Sequence, residues 1–202
     1  ERAGLLPDHR RWTDIERATF AYGYGLTVTP LQLATAYLSI ASGGIKREAT
    51  LLKNTITSES RVLDREIANH VKLMLKGVVD AGTGTKAAIE AYDVAGKTGT
   101  VRKVGSTGYE DTAHLAFFAG MTPVDKPSLV AVVLINEPRT KAYGGGAESI
   151  FFRNSSNGIS RCSDRRISWL SFAITFFGFA TNDITGELTA IGLPRLSRII
   201  PR

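Results

Sequence analysis

The stretch Val94-Ala95-Gly96-Lys97-Thr98-Gly99-Thr100-Val101 places a cation, two hydroxyls and a glycine side by side in a short β-prone run. Alternate side chains of a strand share a face, so Lys97 and Gly99 are predicted to point one way and Thr98 and Thr100 the other. At a sheet edge, Lys97 and both threonines can still line one cleft, and Gly99 lets a ligand approach the backbone. The stretch therefore predicts a strand that binds an anionic, peptide-like group. Taken by itself, Lys-Thr-Gly equally fits an ordinary hairpin edge with a solvated lysine.

The sequence that follows predicts two further strands. Residues 113–121 are apolar and of strand length, residues 122–127 form a turn cluster, and residues 128–136 form the next strand. Three strands in a row, joined by short polar turns, predict an antiparallel sheet. The continuous apolar run of residues 129–135 predicts that the last strand is covered on both faces.

Two helices are predicted before the sheet. The first begins at Thr29-Pro30, which combines an N-cap residue with proline at the first helical position, and ends at Gly43-Gly44. The second begins near Asp64, and its apolar stripe is predicted to be Ile67, Val71, Leu73, Met74 and Val78. Helices followed by an antiparallel sheet indicate the α/β (α+β) class.

Composition excludes several functions. The chain has 202 residues, 43% hydrophobic and 22% charged, as in a globular protein. Its net charge of +6 is concentrated in residues 151–202, which hold seven arginines, no lysine and three acidic residues. No basic stripe with interleaved aromatics is present, so nucleic acid is not an expected partner. A single cysteine and three scattered histidines predict no disulfide, metal or cofactor site. The first residues lack an initiator methionine and a signal peptide, which is typical of the middle of a longer protein.

Five blocks of this sequence together resemble class B penicillin-binding proteins, and in particular the division-specific peptidoglycan D,D-transpeptidases of Gram-negative bacteria. They lie in one register over residues 1–149, and they are residues 20–26, residues 29–34, Gly77 with Gly82-Thr83-Gly84, residues 97–100, and Tyr143-Gly144-Gly145-Gly146-Ala147. The resemblance implies the penicillin-binding and serine β-lactamase-like fold, an antiparallel sheet packed between helices, incomplete in this chain.

The family carries out serine acyl transfer with three motifs, S-x-x-K, S-x-N and K-[ST]-G. Only the third is present in the expected order, and no S-x-x-K occurs in the chain. Ser155-Ser156-Asn157 spells S-x-N but follows Lys97-Thr98-Gly99, the wrong order for the family. The resemblance therefore implies that this chain contains no nucleophile and is inactive alone.

The resemblance also implies roles for the four residues of the third motif. Lys97 would supply positive charge to the cleft and to the substrate carboxylate, which the hydroxyls of Thr98 and Thr100 would bind. The backbone N–H of Thr100 would be one oxyanion-hole donor, a type of contact worth about 3–4 kcal/mol. Gly99 would keep the groove open for the acyl-D-Ala-D-Ala strand.

The implied function is penicillin binding and cross-linking of septal peptidoglycan as part of a longer protein. The implied partners are the D-Ala-D-Ala stem peptide, β-lactams and membrane proteins of cell division. The implied location is the periplasmic face of the inner membrane, with an anchoring helix absent from this chain. The alternatives are a catalytically dead gene fragment, a non-catalytic module that binds division proteins, and a D,D-carboxypeptidase or serine β-lactamase.

Residues 150–202 are predicted to be a non-homologous tail. Ala147-Glu148-Ser149 still fits the family, and Ile150 departs from it. A shift of one base permits F-S-E-I-V-Q-M-A-F, the apolar helical pattern that the family has here. The hypothesis is an out-of-frame, poorly ordered tail. Loss of the helix that the family has here would leave the strand of residues 129–135 exposed. The alternative is a divergent extension. The apolar run of residues 167–180 is too short for a membrane span.

Overall fold

The computed structural model describes residues 4–23, 25–50, 58–105, 108–136, 149, 152–153 and 171–176. Its α-helices are α1 (Asp14–Phe20), α2 (Pro30–Ala41) and α3 (Arg65–Ala81). Its strands are β1 (Ile45–Arg47), β2 (Glu59–Arg61), β3 (Ala95–Gly105), β4 (Gly108–Thr122), β5 (Leu129–Asn136) and β6 (Ser171–Phe176). Single 3-10 turns cover His9–Arg11 and Thr85–Ala87.

The described strands form one four-stranded sheet and a separate β1–β2 hairpin. The order in the larger sheet is β3-β4-β5-β6. β3, β4 and β5 pair antiparallel, and Lys97 lies opposite Ala119, which lies opposite Val132. These are the three strands that the sequence predicted. β6 adds to β5 in the parallel direction, and it was not predicted because its apolar run is ambiguous by length.

α2 begins and ends where its sequence predicted. The Thr29 hydroxyl accepts the backbone N–H of Gln32, and the Gln32 side chain accepts the N–H of Thr29, which completes a capping box. Gly43 and Gly44 end the helix with φ values of +67° and +90°. α1 has the same device, since Thr13 and Glu16 cap it reciprocally, and the sequence analysis did not predict this helix.

Apolar side chains cover both faces of the sheet. On one face Leu38 of α2 packs with Ala95, Met121 and Val130, three residues that lie side by side on β3, β4 and β5. On the other face Phe118 of β4 packs in a cluster with seven buried residues, which are Val79, Ala87, Ile89, Val94, Ala131, Val133 and Phe152. The sheet is therefore the centre of the described core.

The burial of β5 corrects one prediction. Residues 129–133 are at most 4% exposed, so the expectation that this strand would be left uncovered is wrong. α2 covers one face of the strand. Phe152, which lies beyond Ile150 in the predicted non-homologous tail, helps to cover the other and is itself fully buried.

The core-facing side of α3 also differs from the prediction. Ile67, Leu73 and Met74 were placed in its apolar stripe, yet 50–70% of each is exposed. The helix instead buries Ala68 and Val79. Apolar residues lie on two stripes of this helix, so periodicity alone does not say which stripe faces the sheet. The packing of α3 against β3 and α2 decides which stripe is buried.

Two glycine-to-alanine substitutions should change stability in opposite directions. Gly44 has φ +90°, and a Cβ there would overlap the Leu63 carbonyl oxygen, so Gly44→Ala is expected to destabilise the fold by more than about 1–2 kcal/mol. Gly77 lies in α3 with open space around its Cα, so Gly77→Ala should stabilise by about 1 kcal/mol. Urea denaturation measures both, and a Gly44→Ala chain as stable as the parent would contradict the first.

Tyr37 makes stability fall at alkaline pH. Burial raises the pKa of Tyr37, on α2, to about 12 from its ordinary value of 10.0. The unfolded chain therefore ionises this phenol first, and the free energy of unfolding is complete below pH 10 and decreases between pH 10 and 12. The decrease is about 2–3 kcal/mol. Urea denaturation across this range should show the decrease in the parent relative to Tyr37→Phe; parallel pH profiles would contradict it.

Candidate functional site

The strand that carries Lys97, Thr98, Gly99 and Thr100 lies at the edge of the sheet. β4 pairs with one side of β3, and no other strand of the described ranges pairs with its opposite side. An unpaired strand edge presents N–H and C=O groups that can pair with an extended peptide. The position of the motif thus suits the binding of a peptide strand.

Lys97 and Thr98 converge although they leave opposite faces of β3. The Lys97 side chain is exposed, and its Nζ turns across the strand to lie 3.0 Å from the Thr98 carbonyl oxygen and 3.4 Å from Thr98 Oγ1. Thr98 is only 8% exposed. The geometry agrees with the expectation that a cation and a hydroxyl of this motif can line one cleft.

The same contact indicates the direction of the backbone at Thr100. In an antiparallel ladder the N–H and C=O of one residue point to the same side, and residues two apart share that side. The Thr98 carbonyl accepts a bond from the Lys97 ammonium, a group that is not part of the ladder, and a carbonyl on the free edge is open to such a donor. If the Thr98 carbonyl faces the free edge, the N–H of Thr100 faces it as well; the Thr100 side chain is exposed.

Gly99 has a second reason to be glycine. Phe117 lies directly opposite Gly99 on β4, and a Cβ at Gly99 would overlap the Phe117 ring. Sequence reasoning explained Gly99 by the approach of a ligand and did not include Phe117. The Phe117 ring therefore lies on the Gly99 face of β3, opposite the face that Thr98 and Thr100 share.

Thr83 is a site residue that sequence reasoning missed. Its hydroxyl oxygen lies 3.0 Å from that of Thr98. Thr83 belongs to the Gly82-Thr83-Gly84 loop after α3, and Gly84 approaches Phe118, whose ring lies on the Thr98 face of the sheet. The triplet was noted only as a mark of resemblance. The available signal was that a hydroxyl flanked by two glycines can approach a strand closely.

An ion-pair cluster fixes the beginning of β3 against α3. Lys76 Nζ lies 2.8 Å from Asp80 Oδ2 and 3.4 Å from Asp93 Oδ1. The hydrogen bond with Asp80 raises the pKa of Lys76. The Asp93 carbonyl in turn accepts the Thr122 hydroxyl at 3.0 Å. Helix α3 and strand β4 thus both contact Asp93, which lies just before β3.

Other candidate features contribute nothing to this site. Across the residues whose structure is described, no group of three His, Cys, Asp or Glu side chains could hold a metal ion. An open groove of about 1040 Å³ lies between α2 and the β1–β2 hairpin and does not include Lys97. The glycine-rich loop of residues 143–147 and Ser155-Ser156-Asn157 lie outside the described residues.

The class of protein to which this fold and edge strand belong follows from comparison with known families. The family model of the penicillin binding protein transpeptidase domain matches residues 1–157. This chain belongs to the penicillin-binding protein transpeptidase family, as the sequence predicted.

Named relatives agree. The chain is 46% identical over 151 residues to the peptidoglycan D,D-transpeptidase FtsI of Escherichia coli strain K12. It is 38% identical over 148 residues to a probable peptidoglycan D,D-transpeptidase, PenA, of Neisseria meningitidis. The matches cover 74% and 72% of this chain and 26% of either relative. The chain thus spans about a quarter of the length of these relatives.

Solved structures confirm the penicillin-binding fold. The transpeptidase domain of Burkholderia pseudomallei penicillin-binding protein 3 superposes with a TM-score of 0.71 at 33% identity, over 80% of this chain and 50% of that one. Penicillin binding protein 3 of Mycobacterium tuberculosis complexed with aztreonam gives 0.70 at 25% identity, over 83% and 42%. Within the part of the chain that the structure describes, no helix has the length and apolarity to span a membrane.

Proposed function

We propose that this chain supplies the Lys97-Thr98-Gly99 wall of a peptidoglycan D,D-transpeptidase site whose nucleophilic serine lies outside these 202 residues. The observation that carries the proposal is the edge strand itself. Lys97 Nζ and the Thr98 hydroxyl meet at the unpaired side of β3, where a peptide carboxylate and an extended backbone can both be bound.

The wall would act on the donor strand in two ways. Lys97 and the hydroxyls of Thr98 and Thr100 would hold the terminal carboxylate of an acyl-D-Ala-D-Ala peptide by charge-assisted hydrogen bonds. The Thr100 N–H, from the free edge, would donate to the carbonyl oxygen that becomes an oxyanion when serine attacks. Such a donor stabilises the transition state by about 3–4 kcal/mol. The terminal D-Ala then leaves, and an acceptor amine takes the acyl group.

β-Lactams would bind the same wall. They combine a reactive carbonyl with an anionic group, which is the pair of features that Thr100 and Lys97-Thr98 are placed to recognise. Gly99, covered by Phe117 on one face, would keep this part of the groove free of a side chain. The proposed location is the periplasmic face of the inner membrane, and the proposed further partners are membrane proteins of cell division.

The test is a chimera with the E. coli relative. In the full chimera, the relative's sequence up to the aligned segment is followed by all 202 residues of this chain. In the short chimera, residues 1–149 replace the aligned segment and the relative keeps its own C-terminus. We expect a fluorescent penicillin to label at least the short chimera covalently and to leave the isolated 202-residue chain unlabelled.

The outcomes separate the alternatives. If neither chimera is labelled while the unmodified relative is, the proposed function is wrong and a non-catalytic fragment is favoured. If only the short chimera is labelled, the wall is functional, and the result supports the prediction that residues 150–202 are a non-homologous tail. Label on the isolated chain would contradict the absence of a nucleophile.

A further inference from the structure

The Thr83 hydroxyl contacts the Lys97-Thr98 pair from another element of the fold. Thr83 follows α3, at the Gly82-Thr83-Gly84 loop, and its Oγ1 lies 3.0 Å from Thr98 Oγ1. Lys97 Nζ lies 3.4 Å from the same oxygen. Thr98 is 8% exposed, whereas Thr83 and Lys97 are exposed. Two polar groups, the Thr83 hydroxyl and the Lys97 ammonium, thus meet at the buried Thr98 oxygen.

The number of protons on these groups limits how they can be arranged. An ammonium group only donates, so Thr98 Oγ1 accepts from Lys97 and uses one of its two lone pairs. A hydroxyl has one proton, and either threonine can donate to the other. If Thr98 donates to Thr83, its proton is occupied. If Thr83 donates to Thr98, both lone pairs of Thr98 are used and its proton is free for an acceptor.

We infer that Thr83 is a positioning residue for anion binding, and that its hydroxyl donates to Thr98 so that Thr98 donates to the carboxylate of the bound ligand. The inference rests on the proposed function, because the ligand is the carboxylate of a stem peptide or β-lactam. Two donors to Thr98 Oγ1 also polarise its O–H and strengthen the bond that it makes.

The substitution Thr83→Val removes the hydroxyl and keeps the shape of the side chain. In whichever chimera is acylated, it should weaken the noncovalent affinity for benzylpenicillin about 3- to 10-fold, as loss of one hydrogen bond predicts. The first-order acylation step should stay within about twofold. Thr83→Ser should restore the affinity. Thr85→Val, the same change two residues further on, is the matched control and should have no effect.

The methyl ester of benzylpenicillin tests whether the effect of Thr83→Val depends on the carboxylate of the ligand. Thr83→Val should not change the acylation kinetics of the ester, because the group that Thr98 would bind has lost its charge. An equal loss for the acid and the ester means that Thr83 only supports the fold, and it overturns the inference. An unchanged affinity for the acid also overturns it while leaving the proposed function intact. If neither chimera is acylated, both the proposed function and the inference are wrong.

A second measurement uses the 202-residue chain and needs no acylation. With methyl-labelled threonine, the Thr98 methyl signal should shift on Thr83→Val, return on Thr83→Ser, and stay in place on Thr85→Val. A Thr98 signal that Thr83→Val does not move would show that the two hydroxyls are not bonded. That result overturns the inference whatever the chimeras do.

Discussion

Lys97→Ala and Thr100→Pro should each abolish penicillin labelling of the chimera. Lys97→Ala removes the cation at the carboxylate position and leaves the Thr98 carbonyl without the bond that it now accepts. Thr100→Pro removes the N–H that we propose as an oxyanion donor, a loss that typically lowers the rate about 100- to 1000-fold. Labelling yield at a fixed time measures both. Retained labelling of either variant would contradict the role assigned to that residue.

The orientation of the Thr100 backbone makes the proline test specific. Proline is tolerated on an edge strand where its missing N–H faces away from the sheet, so Thr100→Pro should leave the β3–β4 ladder intact. Val101, one residue on, lies opposite Leu115, and its N–H points toward β4. Val101→Pro should therefore lower the unfolding temperature far more than Thr100→Pro. Thr100→Ala keeps the N–H and should retain labelling.

Phe118→Ala should cause the largest loss of stability of any substitution considered for this chain. The Phe118 ring is fully buried at the centre of the sheet, and its centroid lies 4.8 Å from that of Phe152. A Cβ at Gly96 or Gly120 would overlap this ring, so the ring lies directly over the backbone of both strands. Gly96 and Gly120 have no side chain to fill the space that Phe118→Ala would leave, and the expected cost is about 3–5 kcal/mol.

Phe117→Ala is the matched control for this prediction. Phe117 is the adjacent residue of β4, points to the opposite face and is only half-buried, so its truncation should cost clearly less. Urea denaturation of the 202-residue chain measures both variants. Equal losses would show that the Phe118 cluster does not dominate the core.

Local signals predicted α2 and the three antiparallel strands because each was marked by its own residues. Thr29-Pro30 and the two glycines at 43 and 44 delimit the helix, and polar turns delimit the strands. The Thr13-x-x-Glu16 capping box was an equally local signal that was overlooked. The stripe of α3 that faces the sheet was not predictable from periodicity, because contact with β3 and α2 selects it.

The candidate site was predictable in part. Lys97, Thr98 and Thr100 were identified from one short stretch, and the free edge of β3 is the position that their proposed roles require. Thr83 was not identified, because its 3.0 Å contact with Thr98 joins a loop to a strand 15 residues later. Phe117 was missed for the same reason, since only the register of β4 places it opposite Gly99.

The origin of residues 150–202 stays a prediction. The family model ends at residue 157, while Phe152 occupies the core and β6 extends the sheet. The nucleotide sequence tests the shifted-frame hypothesis. A homologous helix encoded one base over would support it, and its absence would favour a divergent extension.

Peptide mass mapping of the acylated chimera tests the central proposal most directly. After reaction with benzylpenicillin, the adduct should be found on the serine of the relative's S-x-x-K motif and on no residue of this chain. An adduct on a residue of this chain, or no adduct in either chimera, would contradict the proposal that this chain provides the binding wall of a site whose nucleophile lies elsewhere.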